Sequence, residues 1–439
     1  RRNRSIARPP GPARATLPAR MIRKRVLANG LTLVSESLDH VRSVAVGVWL
    51  KRGSRHEAAR QSGISHFIEH MVFKGTRSRT AQQIAAEVDE VGGLMDAFTS
   101  KEYAAFHLKV LDQHLPLAVE LLGDIVLHPR FDPEEIAKEK RVVFEEMAMV
   151  EDTPDDLVME RFHEALWPGH ALGRPILGTR EAVSAFDRGA IGTYLDAHYV
   201  AGATVIAAAG AVDHGRIVEQ ADKLFSRFAA RPAPKADAAR YAGGDARHKR
   251  RLEQAHIVFG FEGKSFRDAD AYAALVFANA VGGGMSSRLF QEIREERGLA
   301  YAIHASHWSM SDTGLFSVYA GAGARDVPEL CNVALDALAR ASADLTDEEV
   351  ARARAQMKVS LLAALESSGA RAEQMARQML AHGRLVPREE VIAKIDAVDV
   401  AATRRVGAEM LRGAATIAAI GPVARAPDPA GIARRLNGV

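Results

Sequence analysis

Residues 204–210 read TVIAAAG, and residues 416–421 read TIAAIG. Each is a short apolar run of β-branched and small side chains closed by glycine, the pattern of a buried strand. The likeness extends outward from these runs. FDPEEIAKEK, from Phe131, has a counterpart in LTDEEVARAR, from Leu345, 214 residues further on. Each half also opens with an apolar strand, Val44–Leu50 and Ile257–Phe261, followed by a segment of helical period. The sequence therefore predicts an α+β protein built from two copies of one unit, and two copies of this size exclude a solenoid.

Between the halves lies ARPAPKADAARYAGGDARHKR, rich in Ala, Pro, Gly and charge and without apolar period. It divides the chain into a unit at 21–229, a linker at 230–250 and a second unit at 251–439. Residues 1–20 hold six Arg, four Pro and no acid. They lack the apolar core of a secretory signal and are expected to be disordered excess rather than a cleaved address. Patterned sequence begins at Met21, with Asn29-Gly30 as a turn between two short strands.

Composition narrows the classes. Apolar residues make up 47% and charged residues 26% of the 439, the balance of a soluble globular protein. The longest apolar stretch, 200–212, is too short for the ~20 residues of a membrane span. A single cysteine, Cys331, excludes an internal disulfide and a Cys-rich metal site. A net charge of +3 offers nothing for nucleic acid to bind.

The two copies differ in their chemistry. His66-Phe67-Ile68-Glu69-His70 in the first has no equivalent in the second. On a helix the two histidines lie about 40° apart and one turn along, so both imidazoles can reach one metal ion. Glu69 falls about 60° to the other side of His66, beside the ion but off the line of its ligands, where a general base belongs. A third protein ligand is needed. In Pro133–Val150, Ile136, Val143, Met147 and Val150 form one apolar stripe, with Glu139 and Glu146 on its edge and Glu145 facing solvent. Glu139 and Glu146 stand ~10 Å apart along the helix, so one would be a ligand and the other its support; periodicity leaves open which. At the equivalent positions the second copy has Ala353 and Ser360.

With GVWLKRGSRHE, HFIEHMVFKGT, VGGLMDAFTSKEYAAF, RVVFEEMAMVEDTPDD and SSRLFQEIREERGLAY, the chain resembles the inverzincin peptidases, the group of pitrilysin, insulysin and the mitochondrial processing peptidase. It is most like their short bacterial processing-peptidase-like members, over nearly all of Met21 to Val423. The resemblance implies two homologous domains, each a mixed, mostly antiparallel sheet packed with helices, together forming half of a clamshell. It implies one Zn per chain on His66, His70 and Glu146, with Glu69 as general base and Glu139 as the supporting acid. Arg294 and Tyr301 would hold the substrate, and the edge strand around Ala97 would pair with it in extended form. The family commonly has Asn where this chain has Asp96, which adds a charge near the scissile bond.

SSRLFQEIREERGLAY itself reads as a helix with a Ser N-cap, ended by Gly298 and running into a strand. Glu262-Gly263-Lys264-Ser265 is not a phosphate loop, because Val258 stands where the first glycine is required. The expected function is a zinc endopeptidase that cleaves unfolded peptides or presequences in a closed chamber. Half a clamshell implies a homodimer or a heterodimer with a related subunit. The alternative is a non-catalytic or partner-dependent subunit. The expected compartment is the bacterial cytoplasm, with the mitochondrial matrix as the alternative.

Overall fold

The computed structural model describes residues 22–438; the tail expected to be disordered lies outside them. The apolar runs form two sheets. The first holds β1 (Ile22–Val26), β2 (Thr32–Ser37), β3 (Ser43–Leu50), β4 (Leu94–Thr99), β5 (Ala104–Leu111) and β6 (Thr204–Gly210) in the order β1-β2-β6-β3-β5-β4. The second holds β7 (Gly244–Lys249), β8 (Gln254–Gly263), β9 (Ala300–Ser309), β10 (Gly314–Gly323) and β11 (Thr416–Gly421) in the order β7-β11-β8-β10-β9. With β1 set aside, the orders coincide. β2 runs parallel to β6 and β7 parallel to β11, and every other pairing is antiparallel.

TVIAAAG and TIAAIG are thus β6 and β11, interior strands buried along their whole length. Their terminal glycines explain why the motif ends as it does. Gly210 has φ +125° and Gly421 has φ +110°. A Cβ on Gly210 would lie 2.2 Å from the Ser43 carbonyl oxygen, and one on Gly421 would lie 2.5 Å from that of Gln254. The same backbone crossing is built twice, and no side chain fits at either place.

Helices cover the sheets in the same sequence in each half. The first half has α1 (Ile64–Met71), α2 (Ala81–Glu90), α3 (Leu115–Leu127), α4 (Pro133–Asp152), α5 (Pro154–Leu166), α6 (Arg180–Ala185), α7 (Arg188–His198) and α8 (His214–Phe225). The second has α9 (Ala271–Gly282), α10 (Val327–Asp344), α11 (Asp347–Ala364), α12 (Ser368–His382), α13 (Arg388–Asp396), α14 (Val400–Leu411) and α15 (Pro429–Leu436). The pair α4–α5 corresponds to α11–α12, and here the halves exchange partners. Leu157, Val158, Phe162 and Leu166 of α5 pack with Val258, Leu315, Ala418 and Ile420 of the second sheet. Ala372, Met375, Ala376 and Met379 of α12 pack with Trp49, Ala105, Val205, Ala207 and Ala209 of the first. Alanines on both sides of the α12 contact let helix and sheet approach closely. Arg371, at the start of α12, reaches Glu36 on β2 at 2.6 Å, both side chains nearly fully buried.

Two local expectations are corrected. Residues 230–250 are not linker throughout: GDARHK forms β7, an edge strand whose place is set by parallel pairing with β11 rather than by an apolar pattern. The segment before Gly298 is helical but not capped by serine. Ser287 Oγ is buried without a hydrogen-bond partner, and Phe290–Glu295 is π-helical, with Glu296 N–H bonding to Gln291 C=O. Sequence periodicity carries no sign of that wider turn.

The glycine crossing makes a direct test. Gly30 also has positive φ (+91°) but nothing within 4 Å of a Cβ. Gly30→Ala is therefore expected to cost about 1–2 kcal/mol, the backbone penalty alone. Gly210→Ala adds the collision with Ser43 and is expected to cost more than about 3 kcal/mol. Thermal unfolding of the two variants compares them, and equal losses would contradict the crossing.

Candidate metal centre

HFIEH lies on α1, an eight-residue helix whose Ile64, Phe67, Ile68 and Met71 are sunk in the first unit's core. That apolar face leaves His66, Glu69 and His70 together on the opposite side. The imidazole rings of His66 and His70 are 4.5 Å apart between centroids. Across from them, α4 turns its Ile136, Glu139 and Val143 inward and leaves Glu145 exposed.

The two acids of α4 divide their work. Glu146 faces the imidazoles: its Oε2 is 3.7 Å from His66 Nε2 and its Oε1 is 3.6 Å from His70 Nε2. Ligand atoms of His66, His70 and Glu146 all lie within 4.8 Å of one another, the one such group of three among the described residues. Glu139, one face further back and only 3% exposed, sits 2.8 Å from His70 Nδ1 and 2.7 Å from Lys74 Nζ. An Nδ1–H donated to that carboxylate fixes the tautomer, leaving the Nε2 lone pair of His70 aimed at Glu146.

The electrostatics of the group suit a cation. Burial, with His70 alongside, lowers His66 to a pKa of about 4, so it is a neutral imidazole at ordinary pH. Burial also opposes charge on His70, but the hydrogen bond it donates to Glu139 and the carboxylates of Glu146 and Glu69 hold it above its usual range. Glu139 is held low despite its burial, by His70 and Lys74. Glu146 Oε2 and His66 Nδ1 are buried with no hydrogen-bond partner. A buried carboxylate oxygen that faces two imidazole nitrogens is stabilised by a cation between them, whether a proton or a metal ion. Tetrahedral coordination at ~2.0–2.1 Å sets ligand atoms about 3.4 Å apart, close to the spacings found, so the donor set fits zinc in number, type and separation.

Glu69 stands beside this group. Its Oε2 is buried and unpartnered, and burial raises its pKa, opposed in part by Thr99 and His70. It opens with His70 onto a cleft of about 900 Å³ that wraps around β4, the free edge of the first sheet. Phe73, Ile84, Val88 and Met95 line one side. Ala97 and Asp96 lie on the edge strand itself, where Asp96 Oδ1 accepts the Ala97 N–H at 2.8 Å. Arg294 and Tyr301 are brought together, the guanidinium 4.8 Å from the Tyr301 ring and equally near Phe290. Tyr301 is 78% exposed, and neither residue lines the cleft of its own chain.

Sequence reasoning passed over two residues. Lys74 follows His70 by four positions and neutralises Glu139. Glu57, the last residue of GSRHE, is 4% exposed and accepts the N–H groups of Gly63 (2.7 Å) and Ser65 (2.9 Å) at the start of α1. Burial pushes its pKa up to about 7 against those two donors and Arg174. An acid ending a turn gives no sign in sequence that it will be buried.

The chain is similar to known proteins. The family described as Insulinase (Peptidase family M16) matches residues 32–180, and the Peptidase M16 inactive domain matches residues 185–357. The uncharacterized zinc protease YmxG of Bacillus subtilis is 36% identical over 93% of this chain and 100% of its own length. The probable mitochondrial-processing peptidase subunit beta of Arabidopsis thaliana is 35% identical over 94% of this chain and 80% of its own. A solved protease from Helicobacter pylori shares the fold, with a TM-score of 0.85 at 22% identity, covering 92% of this chain and 100% of that one. So does a chain of Complex III2 from Candida albicans, at 0.84 and 23%, over 95% of this chain and 100% of that one. The inward-facing histidines and acids therefore sit in a chain that belongs to peptidase family M16, the insulinase family.

Proposed function

We propose that this chain is a zinc-dependent endopeptidase of the HxxEH kind, acting on unfolded peptides or presequences. The observation that carries the reading is the convergence of His66, His70 and Glu146, whose ligand atoms lie within 4.8 Å of one another, beside a Glu69 whose Oε2 is buried without a hydrogen-bond partner. His66, His70 and Glu146 would hold one zinc ion, which when bound supplies the Lewis acidity that brings the pKa of water toward ~7. Glu139 and Lys74 keep His70 in the tautomer that offers Nε2. Glu69, raised by burial, takes a proton from the attacking water and returns it to the leaving amine. An extended peptide adds to the free edge of β4 around Ala97, one row of its side chains entering the apolar side of the cleft.

Arg294 and Tyr301 complete the reading through a second copy. Because the pair lies outside the cleft of its own chain, a facing copy would bring it to the substrate, closing a chamber from two half-clamshells. A homodimer in the bacterial cytoplasm is the form this reading gives. No helix among the described residues is long and apolar enough to cross a membrane. The second reading, a subunit active only with a related partner, is favoured by the name of the Arabidopsis relative, itself a subunit. Activity and sizing of the purified chain alone separate the two: an inactive monomer rescued by a second polypeptide would overturn the homodimer.

Glu69→Gln is expected to retain zinc while kcat/KM on a quenched peptide falls by about 10²–10⁴. A variant that cleaves like the parent would remove Glu69 from the chemistry. Glu146→Gln is expected to lose the metal, read by elemental analysis after dialysis. Zinc and proton also compete at His70, whose pKa is raised in the folded chain. Below that pKa zinc uptake must displace a proton, so apparent affinity falls as pH is lowered through it and levels off above it. Titration with a chelating dye upward from the ordinary imidazole range, about 6.5, reads this, and a flat profile would count against neutral His70 as a ligand.

A further inference from the structure

The helix that carries His66, Glu69 and His70 has no cap of its own. Its N-cap is Gly63, which offers no side chain. A helix start leaves backbone N–H groups unpaired, and an eight-residue helix has too few internal bonds to fix its own position. Two devices hold this one. Gly63, at φ +91°, crosses Leu177-Gly178 so closely that a Cβ on Gly63 would lie 2.5 Å from the Leu177 carbonyl oxygen and one on Gly178 would lie 2.2 Å from that of Ser62. The Glu57 carboxylate then takes both nearby donors, Oε2 from Gly63 N–H and Oε1 from Ser65 N–H. Ser65 is held a second time, its hydroxyl 2.9 Å from that of Tyr194.

We propose that Glu57 is a positioning residue for the metal centre: its bidentate grip on the start of α1 sets the axial position and rotation at which the His66 and His70 imidazoles meet Glu146. His66 is the next residue after the gripped Ser65, so a small slide or turn of the helix start moves its ring directly, and Glu69 and His70 with it one turn on. Glu57 itself is buried and lies outside the cleft, so it acts only through the helix. A carboxylate suits the place because it accepts from two N–H groups at once and faces the positive end of the helix dipole. An amide cannot do both, since its NH₂ would oppose one of the donors. The turn that ends in Glu57 is fixed in its own right, because the Arg174 guanidinium donates to the Glu57 carbonyl oxygen.

This inference rests on the zinc-peptidase reading, and the test separates the two. Glu57→Gln is expected to bind zinc at least tenfold more weakly in a chelator competition, with kcat reduced and KM unchanged. Glu57→Asp, which keeps the charge but reaches less far, should fall between the variant and the parent. Hydrogen exchange at the Gly63 and Ser65 amides should quicken in both variants, with or without metal. Folded variants that keep parental zinc affinity, kcat and amide protection would overturn the proposal, as would loss of the whole fold in both. A parent chain that holds no zinc would instead sink the peptidase reading, leaving the amide measurement to decide whether Glu57 grips the helix.

Discussion

Two imidazoles and a carboxylate held within 4.8 Å of one another beside an apolar core are the constraint around which the first unit is arranged. Their convergence lasts only while α1 and α4 are kept from turning. α1 is prevented by its buried apolar face and α4 by Ile136 and Val143. Behind the ring of His70, the Glu139–Lys74 pair offsets charge with charge, so that a buried acid can stand there at all. The site is thus a small polar region inside an otherwise apolar packing, supported from behind as much as from the sides.

Duplication shows how little of the scaffold the chemistry needed to change. The two sheets share their strand order, their single parallel pairing and the glycine that ends the equivalent strand. Where α4 carries Glu139 and Glu146, α11 carries Ala353 and Ser360, and α9, which follows β8 as α1 follows β3, has neither histidine nor acid. One copy can therefore hold the polar cluster while its sister provides a counterpart of the same shape without it. The pairing of Arg294 with Tyr301 beside a π-turn is the second copy's own elaboration.

Much of this was legible beforehand, for reasons that differ by element. The duplicated strands were readable because a strand buried on both faces must be apolar throughout. The orientation of α4 was readable because helical period separates Glu145 from Glu139 and Glu146 by angle alone. β7 was not, since GDARHK has no pattern and takes its structure from its neighbour. The π-turn at Phe290–Glu295 and the burial of Glu57 depend on contacts made far away in the chain. The exchange of α5 and α12 was invisible for a related reason: an amphipathic helix declares that it will be covered, but not by which sheet.

That exchange alters what the word domain can mean for this chain. Each sequence half lends the other a helix, and the buried Arg371–Glu36 pair fastens one of the loans. A cut anywhere in the stretch before β7 would sever the covalent path yet leave two fragments clasped by two interlocked helices. Neither fragment made alone could cover its own sheet, since the residues facing α5 and α12 would meet water. The halves are thus mutually dependent in folding even though each carries a whole copy of the ancestral pattern, and tearing them apart means unfolding both.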